Sequence, residues 1–311
     1  MRVSTTWKPK GFIAIILGVL LQPFVFLYVN KARLFITYFV LMVICYLFDI
    51  RLQANAEESD WYQGIYVTSV FILICPIHAF WVTQHYNASQ KRAWFARWWV
   101  TFLLFTTIYT CLTLVRIFCF EFFTIPASSM APTLEKGSQV IVSKLGYGNY
   151  QYLGQQVLKS EMTAEVRRGD IVVFQYPQNP QSIWMKRVIG LAGDRVVYRN
   201  KTLYIKKACK QPTDNCSDYS VIEQSLVSQD ENGLKILQEV NEDSSYQILV
   251  NDNHMDLISH YFSQVGSRHG EWEIPQGHYF VMGDSRDNSS DSRYWGFLPE
   301  DNLIGKVILS W

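Results

Sequence analysis

Four long apolar runs fill most of the first 118 residues, at 11–29, 34–48, 65–82 and 98–115, and they constrain this chain more than any other feature. Runs of this kind satisfy their backbone polar groups in a bilayer only as helices. The first, Gly11 to Val29, is interrupted by Gln22 alone and flanked by Lys8, Lys10, Lys31 and Arg33. At about 1.5 Å per residue it reaches close to 30 Å, enough for one crossing. Three more runs follow and no small-residue cleavage pattern closes it, so it reads as a retained helix, kinked at Pro23, and not as a removed leader. Leu34 to Phe48 reaches only about 22 Å, so it must recruit its flanks, thin the bilayer, or enter without crossing. The third and fourth runs are long enough, with Trp61, Trp81, Trp98 and Trp99 placed as interfacial anchors. His78, inside the third, reads as a packed side chain before a proton relay.

Charge orients these segments. The loop holding Lys91, Arg92 and Arg97 is basic, whereas Asp49 to Asp60 carries Glu57, Glu58 and Asp60 against Arg51. The positive-inside rule makes the first cytoplasmic and the second external, so the fourth run delivers Phe123 onward to the outer face. If all four runs cross, Arg2, Lys8 and Lys10 lie outside, against the same rule. A first hairpin that only re-enters removes the conflict, and the sequence leaves both arrangements open.

The net charge of +1 and a pI near 7.6 give no electrostatic case for a nucleic-acid partner. Cys45, Cys75, Cys111 and Cys119 lie in or beside apolar runs and behave there as small hydrophobes. Cys209 and Cys216 sit in a polar loop, with a spacing that suits a disulfide in an oxidising compartment. Read instead as a metal half-site, the pair has no nearby His or Cys pair to complete it, and His254, His260 and His269 show no metal-ligand spacing, so no metal and no cofactor is expected.

Residues 119–311 have a different texture. Short runs rich in β-branched and aromatic residues recur at Gln139–Leu145, Ile171–Tyr176, Ile183–Ile189, Arg195–Tyr198, Thr202–Ile205, Tyr246–Val250, His278–Met282 and Leu303–Leu309. The expected architecture is a multi-helix transmembrane region, 1–118, followed by a mainly β extramembrane domain, 119–311, of coiled, barrel-like sheets. The polar stretch from about 208 to 270 interrupts this pattern and reads as an inserted smaller subdomain.

Three boxes and a proline-punctuated ribbon carry the chemistry. Phe123-Thr124-Ile125-Pro126-Ala127-Ser128-Ser129-Met130-Ala131-Pro132-Thr133-Leu134 cannot continue the preceding helix, because its prolines fix φ and lack a donor. Downstream come Arg168-Gly169-Asp170-Ile171-Val172-Val173-Phe174, then Ser182-Ile183-Trp184-Met185-Lys186-Arg187-Val188-Ile189-Gly190-Leu191-Ala192-Gly193-Asp194. The last is Gly283-Asp284-Ser285-Arg286-Asp287-Asn288-Ser289-Ser290-Asp291-Ser292-Arg293. In this order the four resemble the motif boxes of type I signal peptidases, membrane-bound Ser/Lys endopeptidases. The resemblance runs from about Phe123 to Ile308 and does not need residues 1–118.

The resemblance implies Ser129 as nucleophile, Lys186 as general base and Ser289 as the hydroxyl that orients the lysine amine. It also implies shallow apolar pockets for small substrate residues, with Ile125, Pro126, Met130, Leu134 and Met185 at matching positions. Asp284, Asp291 and Arg293 then look like a salt-bridged brace behind the site, and 208–270 like the family's variable α/β insertion. Elementary chemistry sets the demand on Lys186. At the reference pKa of about 10.4, about one lysine in 2,500 is neutral at pH 7, a penalty of about 4.6 kcal/mol. Desolvation relieves it, and strand alternation places Trp184 on the same face as Lys186. One position departs from the better-known motif: Ala127 stands where a Ser or Thr hydroxyl helps bind the oxyanion. In an extended ribbon Ser128 would point away from Ser129 and could not replace it.

The function this implies is that of a membrane serine endopeptidase, cleaving signal peptides from exported preproteins that carry small residues one and three positions before the cut. The expected setting is the bacterial inner membrane, multi-pass, with the catalytic domain on the periplasmic side, the lipid bilayer as partner and a functional link to the export machinery. Two alternatives stay open: a processing peptidase dedicated to one secretion or conjugation substrate, and a non-catalytic membrane scaffold.

Overall fold

The computed structural model describes residues 7–54, 60–152, 154–208, 218–241 and 244–311. Cys209 and Cys216 lie outside the described residues. The chain divides into two compact units, the first ending at Thr113 and the second beginning at Leu114.

The first unit is helical. It comprises α1 (Gly11–Leu21), α2 (Val25–Tyr28), α3 (Ala32–Ala54), α4 (Phe71–Gln84) and most of α5 (Trp98–Phe118). The break between α1 and α2 falls at Gln22 and Pro23, where the sequence predicts a kink. The second apolar run is longer than its composition suggests: α3 carries on through Asp49 and Arg51. A buried Asp49 is tolerated because the next element fills its acceptor sites. Its carboxylate accepts from the Val67 N–H at 2.8 Å, the Thr68 N–H at 2.9 Å and the Thr68 hydroxyl, capping the 3₁₀ turn that opens the third span. Including that turn, Gly11–Tyr28, Ala32–Gln53, Val67–Gln84 and Trp98–Phe118 are all long and apolar enough to cross a membrane. His78 is a packed residue, with its Nδ1 2.7 Å from the Tyr38 hydroxyl.

The second unit is built from strands. β1 (Phe120–Thr124), β2 (Gln139–Ser143), β5 (Ile171–Tyr176), β6 (Asn179–Gly190), β14 (His278–Met282), β15 (Leu298–Pro299) and β16 (Leu303–Ser310) form one sheet in the order β1-β2-β16-β5-β6-β14-β15. All its pairings are antiparallel, and four of them carry register shifts, at β14 with β6, β16 with β2, β16 with β5, and β5 with β6. Such bulges sharpen the twist of the sheet. β3 (Asn149–Tyr152) and β4 (Gln155–Lys159) make a hairpin beside it.

The remaining strands make two smaller sheets. β7 (Arg195–Arg199), β8 (Thr202–Lys206), β9 (Ser220–Val221) and β13 (Glu271–Glu273) form one, and β10 (Glu223–Gln229), β11 (Leu234–Val240) and β12 (Ser245–Asn251) the other. They share a core in which Trp272, Tyr198, Leu203 and Ile248 are wholly buried with Phe280 of β14. The helical part of the α/β character expected of 208–270 does not appear among its described residues. Their regular elements are strands and one 3₁₀ turn, Ile258–His260, joined by loops. Polar side chains on the outer face of β10 hide a strand whose pairing is set by β11, and the same holds along much of β11 itself.

Candidate active site

β6 is an interior strand of the large sheet, paired with β5 on one side and β14 on the other, and its second half is buried from Lys186 onward. Alternation sends Lys186 and Arg187 to opposite faces. The Lys186 ammonium nitrogen lies 5.7 Å from the centre of the Trp184 ring, on the face they share. Lys186 is 4% exposed, and burial, opposed by the Asp291 charge and helped by that of Arg293, lowers its pKa from 10.5 to about 8. Relative to the ordinary value, that raises the neutral fraction near pH 7 by roughly 300-fold.

The ribbon supplies the other half. It is extended only through Ile125 and Pro126. It then bends, and Ser129 opens a turn closed by Ala131 N–H to Ser128 O at 3.1 Å and Leu134 N–H to Met130 O at 2.9 Å. The alternation expected around Ser128 and Ser129 therefore does not apply, because turn backbone sets both side chains. The Ser129 hydroxyl accepts from Lys186 Nζ at 2.7 Å, while the Ser128 hydroxyl accepts from Asn288 Nδ2 at 3.2 Å. The Ser129 carbonyl accepts from the Ser285 N–H at 3.1 Å, which ties the ribbon to the loop after β14.

That loop passes close enough to need Gly283: a Cβ there would collide with Ser289 and with the Ser129 carbonyl. The Ser289 hydroxyl is buried beside it without a hydrogen-bond partner, and it does not reach Lys186. Below lies the brace. Arg293 pairs with Asp291 through Nε at 2.8 Å and Nη2 at 2.9 Å, and the Asp291 carboxylate also accepts from the Gly283 N–H at 3.1 Å. Burial alone would raise the Asp291 pKa, but the Arg293 charge and these hydrogen bonds outweigh it and hold the carboxyl below its usual range. Asp284 is bridged by Arg187, with Nε at 2.7 Å. A third pair, Arg286 with Glu239, joins the loop to β11.

Ile125, Met130, Leu134 and Met185 converge in one apolar cluster with Val140, Val173 and Ile304, whereas Pro126 is exposed and stands apart from it. Two residues at the site escape a reading of the sequence. Arg187 reads there as half of a basic doublet with Lys186, although alternation alone separates them. Glu239 comes from a strand without clear periodicity and offers no local signal. Among the described residues no group of His, Cys, Asp or Glu is placed to hold a metal ion.

The family model for signal peptidases, peptidase S26, matches residues 96–311. The chain belongs to that family. Signal peptidase I of Buchnera aphidicola subsp. Baizongia pistaciae is 37% identical over 236 residues, covering 68% of this chain and 76% of the relative. Signal peptidase I of Buchnera aphidicola subsp. Acyrthosiphon pisum is 33% identical over 246 residues, 72% of this chain and 77% of its own. That of Aquifex aeolicus is 30% identical over 223 residues, 63% and 77%. The family match leaves out residues 1–95, and with them α1 to α4.

Proposed function

We propose that this membrane serine endopeptidase of the signal peptidase family removes signal peptides through a Ser129/Lys186 dyad. The observation that carries the reading is the 2.7 Å contact between Lys186 Nζ and Ser129 Oγ in a site dry enough to bring the amine to about 8. Neutral Lys186 accepts the Ser129 proton as Oγ bonds to the scissile carbonyl carbon, forming a tetrahedral oxyanion. The Ser129 N–H stabilises that oxygen. The new ammonium protonates the departing amine, the C–N bond breaks, and the signal peptide remains as an ester on Ser129. A water then gives its proton to Lys186 and attacks the ester, and Ser129 leaves with the proton returned. In this reading Ser289, with its unsatisfied hydroxyl, turns toward the amine and orients it once substrate is bound.

The substrate strand lies against the ribbon before Ser129 and against β6, with its two small residues over the Ile125, Met130, Leu134 and Met185 cluster. The bulged seven-stranded sheet serves as the coiled, barrel-like catalytic core of 119–311, and about 208–270 as its inserted subdomain. The enzyme sits in the bacterial inner membrane with the domain on the periplasmic side, where exported preproteins emerge from the secretion machinery. Purified Ser129→Ala and Lys186→Met variants, folded and membrane-inserted, are expected to leave a preprotein uncut. Near-normal cleavage by either removes the dyad.

A further inference from the structure

Gly11–Tyr28 has the length and hydropathy of a membrane crossing. Drawn out as one helix it would place Lys10 and Tyr28 about 27 Å apart. Instead, the Lys10 N–H donates to the Tyr28 hydroxyl at 2.9 Å, so the segment doubles back on itself. The reversal is at Gln22, whose φ of 42° no regular helix adopts, followed by Pro23, which has no donor to continue one.

Both ends of the doubled segment meet the loop after α4. The Trp7 ring packs edge-on to Tyr28 at 6.3 Å and Tyr86 at 5.5 Å, and the Arg92 guanidinium lies 4.3 Å above it. Asn30 Nδ2 donates to the Tyr86 hydroxyl at 3.0 Å and the Lys91 carbonyl at 3.2 Å. α1 runs antiparallel to α4, and the turn at Gln22 lies past Pro76, toward Phe71. Gly11 faces Phe80 and Thr83 near the end of α4, and Gly18 faces Pro76, where an added Cβ would meet backbone. The eleven residues of α1 rise about 16 Å, roughly half the hydrocarbon core.

Irregular backbone at that depth is tolerated only where protein covers it. Here it is covered. Pro23, Phe24 and Val25 are buried, with the Phe24 ring against Phe35 at 5.1 Å and Phe105 at 5.5 Å, and Phe26 stacks on Tyr38 at 4.6 Å. The outer side of α1 is apolar and open, with Phe12 75% and Leu20 68% exposed. Charge agrees. No Asp or Glu occurs in residues 1–48 or 61–120, and the doubled segment places Lys8, Lys10, Lys31 and Arg33 on the face that carries Lys91, Arg92 and Arg97. A crossing would split those cations between the two faces, against the positive-inside rule.

We propose that Gly11–Tyr28 is a re-entrant hairpin that inserts its exposed apolar side into the cytoplasmic leaflet alone, so that the chain crosses the bilayer three times. α3, Val67–Gln84 and α5 are the crossings. The N-terminus is then cytoplasmic, and residues after Phe118 emerge on the other face. This rests on the reading that those three helices span, and the test separates the two failures. Lys8→Cys, Gln90→Cys and Gln63→Cys, all at exposed positions, are made one at a time in the full chain. Each is treated with a membrane-impermeant maleimide in sealed inside-out vesicles and again after permeabilisation, with the parent chain giving the background of native thiols. Lys8→Cys and Gln90→Cys are expected to label in the sealed vesicles, and Gln63→Cys only after permeabilisation. Lys8→Cys protected together with Gln63→Cys means that Gly11–Tyr28 crosses, which overturns the hairpin. Equal labelling of Gln90→Cys and Gln63→Cys overturns the spanning reading, and the hairpin with it.

Discussion

Raising the pH from 7 to 9 is expected to increase cleavage about tenfold, and Lys186 sets both the sign and the size. In the proposed dyad only the neutral amine accepts the Ser129 proton, so activity is expected to follow the deprotonated fraction upward through the lysine pKa. With the amine at about 8, roughly 9% is neutral at pH 7 and roughly 91% at pH 9. An unperturbed lysine would instead be about 0.03% neutral at pH 7 and would still gain about eightfold between pH 9 and pH 10. The assay is the initial rate of preprotein cleavage under subsaturating substrate, in detergent or proteoliposomes, with substrate charge held constant by choosing a cleavage region without His or Cys. A plateau above about pH 9 is the signature of the buried amine. A rate that is flat or falling from pH 7 to 9 refutes the lysine as base, and one that climbs without plateau to pH 10.5 refutes its desolvation.

Asp291→Asn is expected to cost about 3–5 kcal/mol in stability, since it leaves the buried Arg293 charge unpaired; denaturant unfolding measures it. If the variant folds, its pH–rate midpoint should move down, because the Asp291 charge opposes the burial that lowers the Lys186 pKa. Lys186→Met should stabilise the fold at pH 7 by about 3 kcal/mol, since the burial that depresses the amine is a cost to the charged form. That advantage should shrink as pH rises from about 8 toward 10.5, where wild type folds with a neutral amine at no penalty. A constant difference across that range in thermal melts would contradict it. Ala127→Ser should raise kcat, restoring a donor of the kind whose loss costs about 10²–10³. Ser128→Ala should change kcat little, since its hydroxyl is engaged with Asn288; a hundredfold loss would make Ser128 the missing donor.

Local pattern was enough to find the four apolar segments, though not their course or full length, for β5 and β14 to the residue, and for placing Lys186 beside Trp184, because each depends on a pattern that neighbouring residues carry themselves. The four boxes brought Ser129, Lys186, Asp284, Asp291 and Arg293 to notice through a family resemblance. What pairs with what was another matter. Asp284 is bridged by Arg187, 97 positions away, and Arg286 by Glu239, 47 away, contacts that exist only because β6, β11 and the loop after β14 pack together. Strand alternation failed at Ser128 and Ser129, where a turn replaces the ribbon. Hydropathy could not distinguish a crossing from a hairpin in Gly11–Tyr28, since both bury the same side chains in lipid or protein. Composition is summed along the chain, whereas the direction of the chain after Gln22 is decided by what Phe24, Phe26 and Asn30 find on the neighbouring helices.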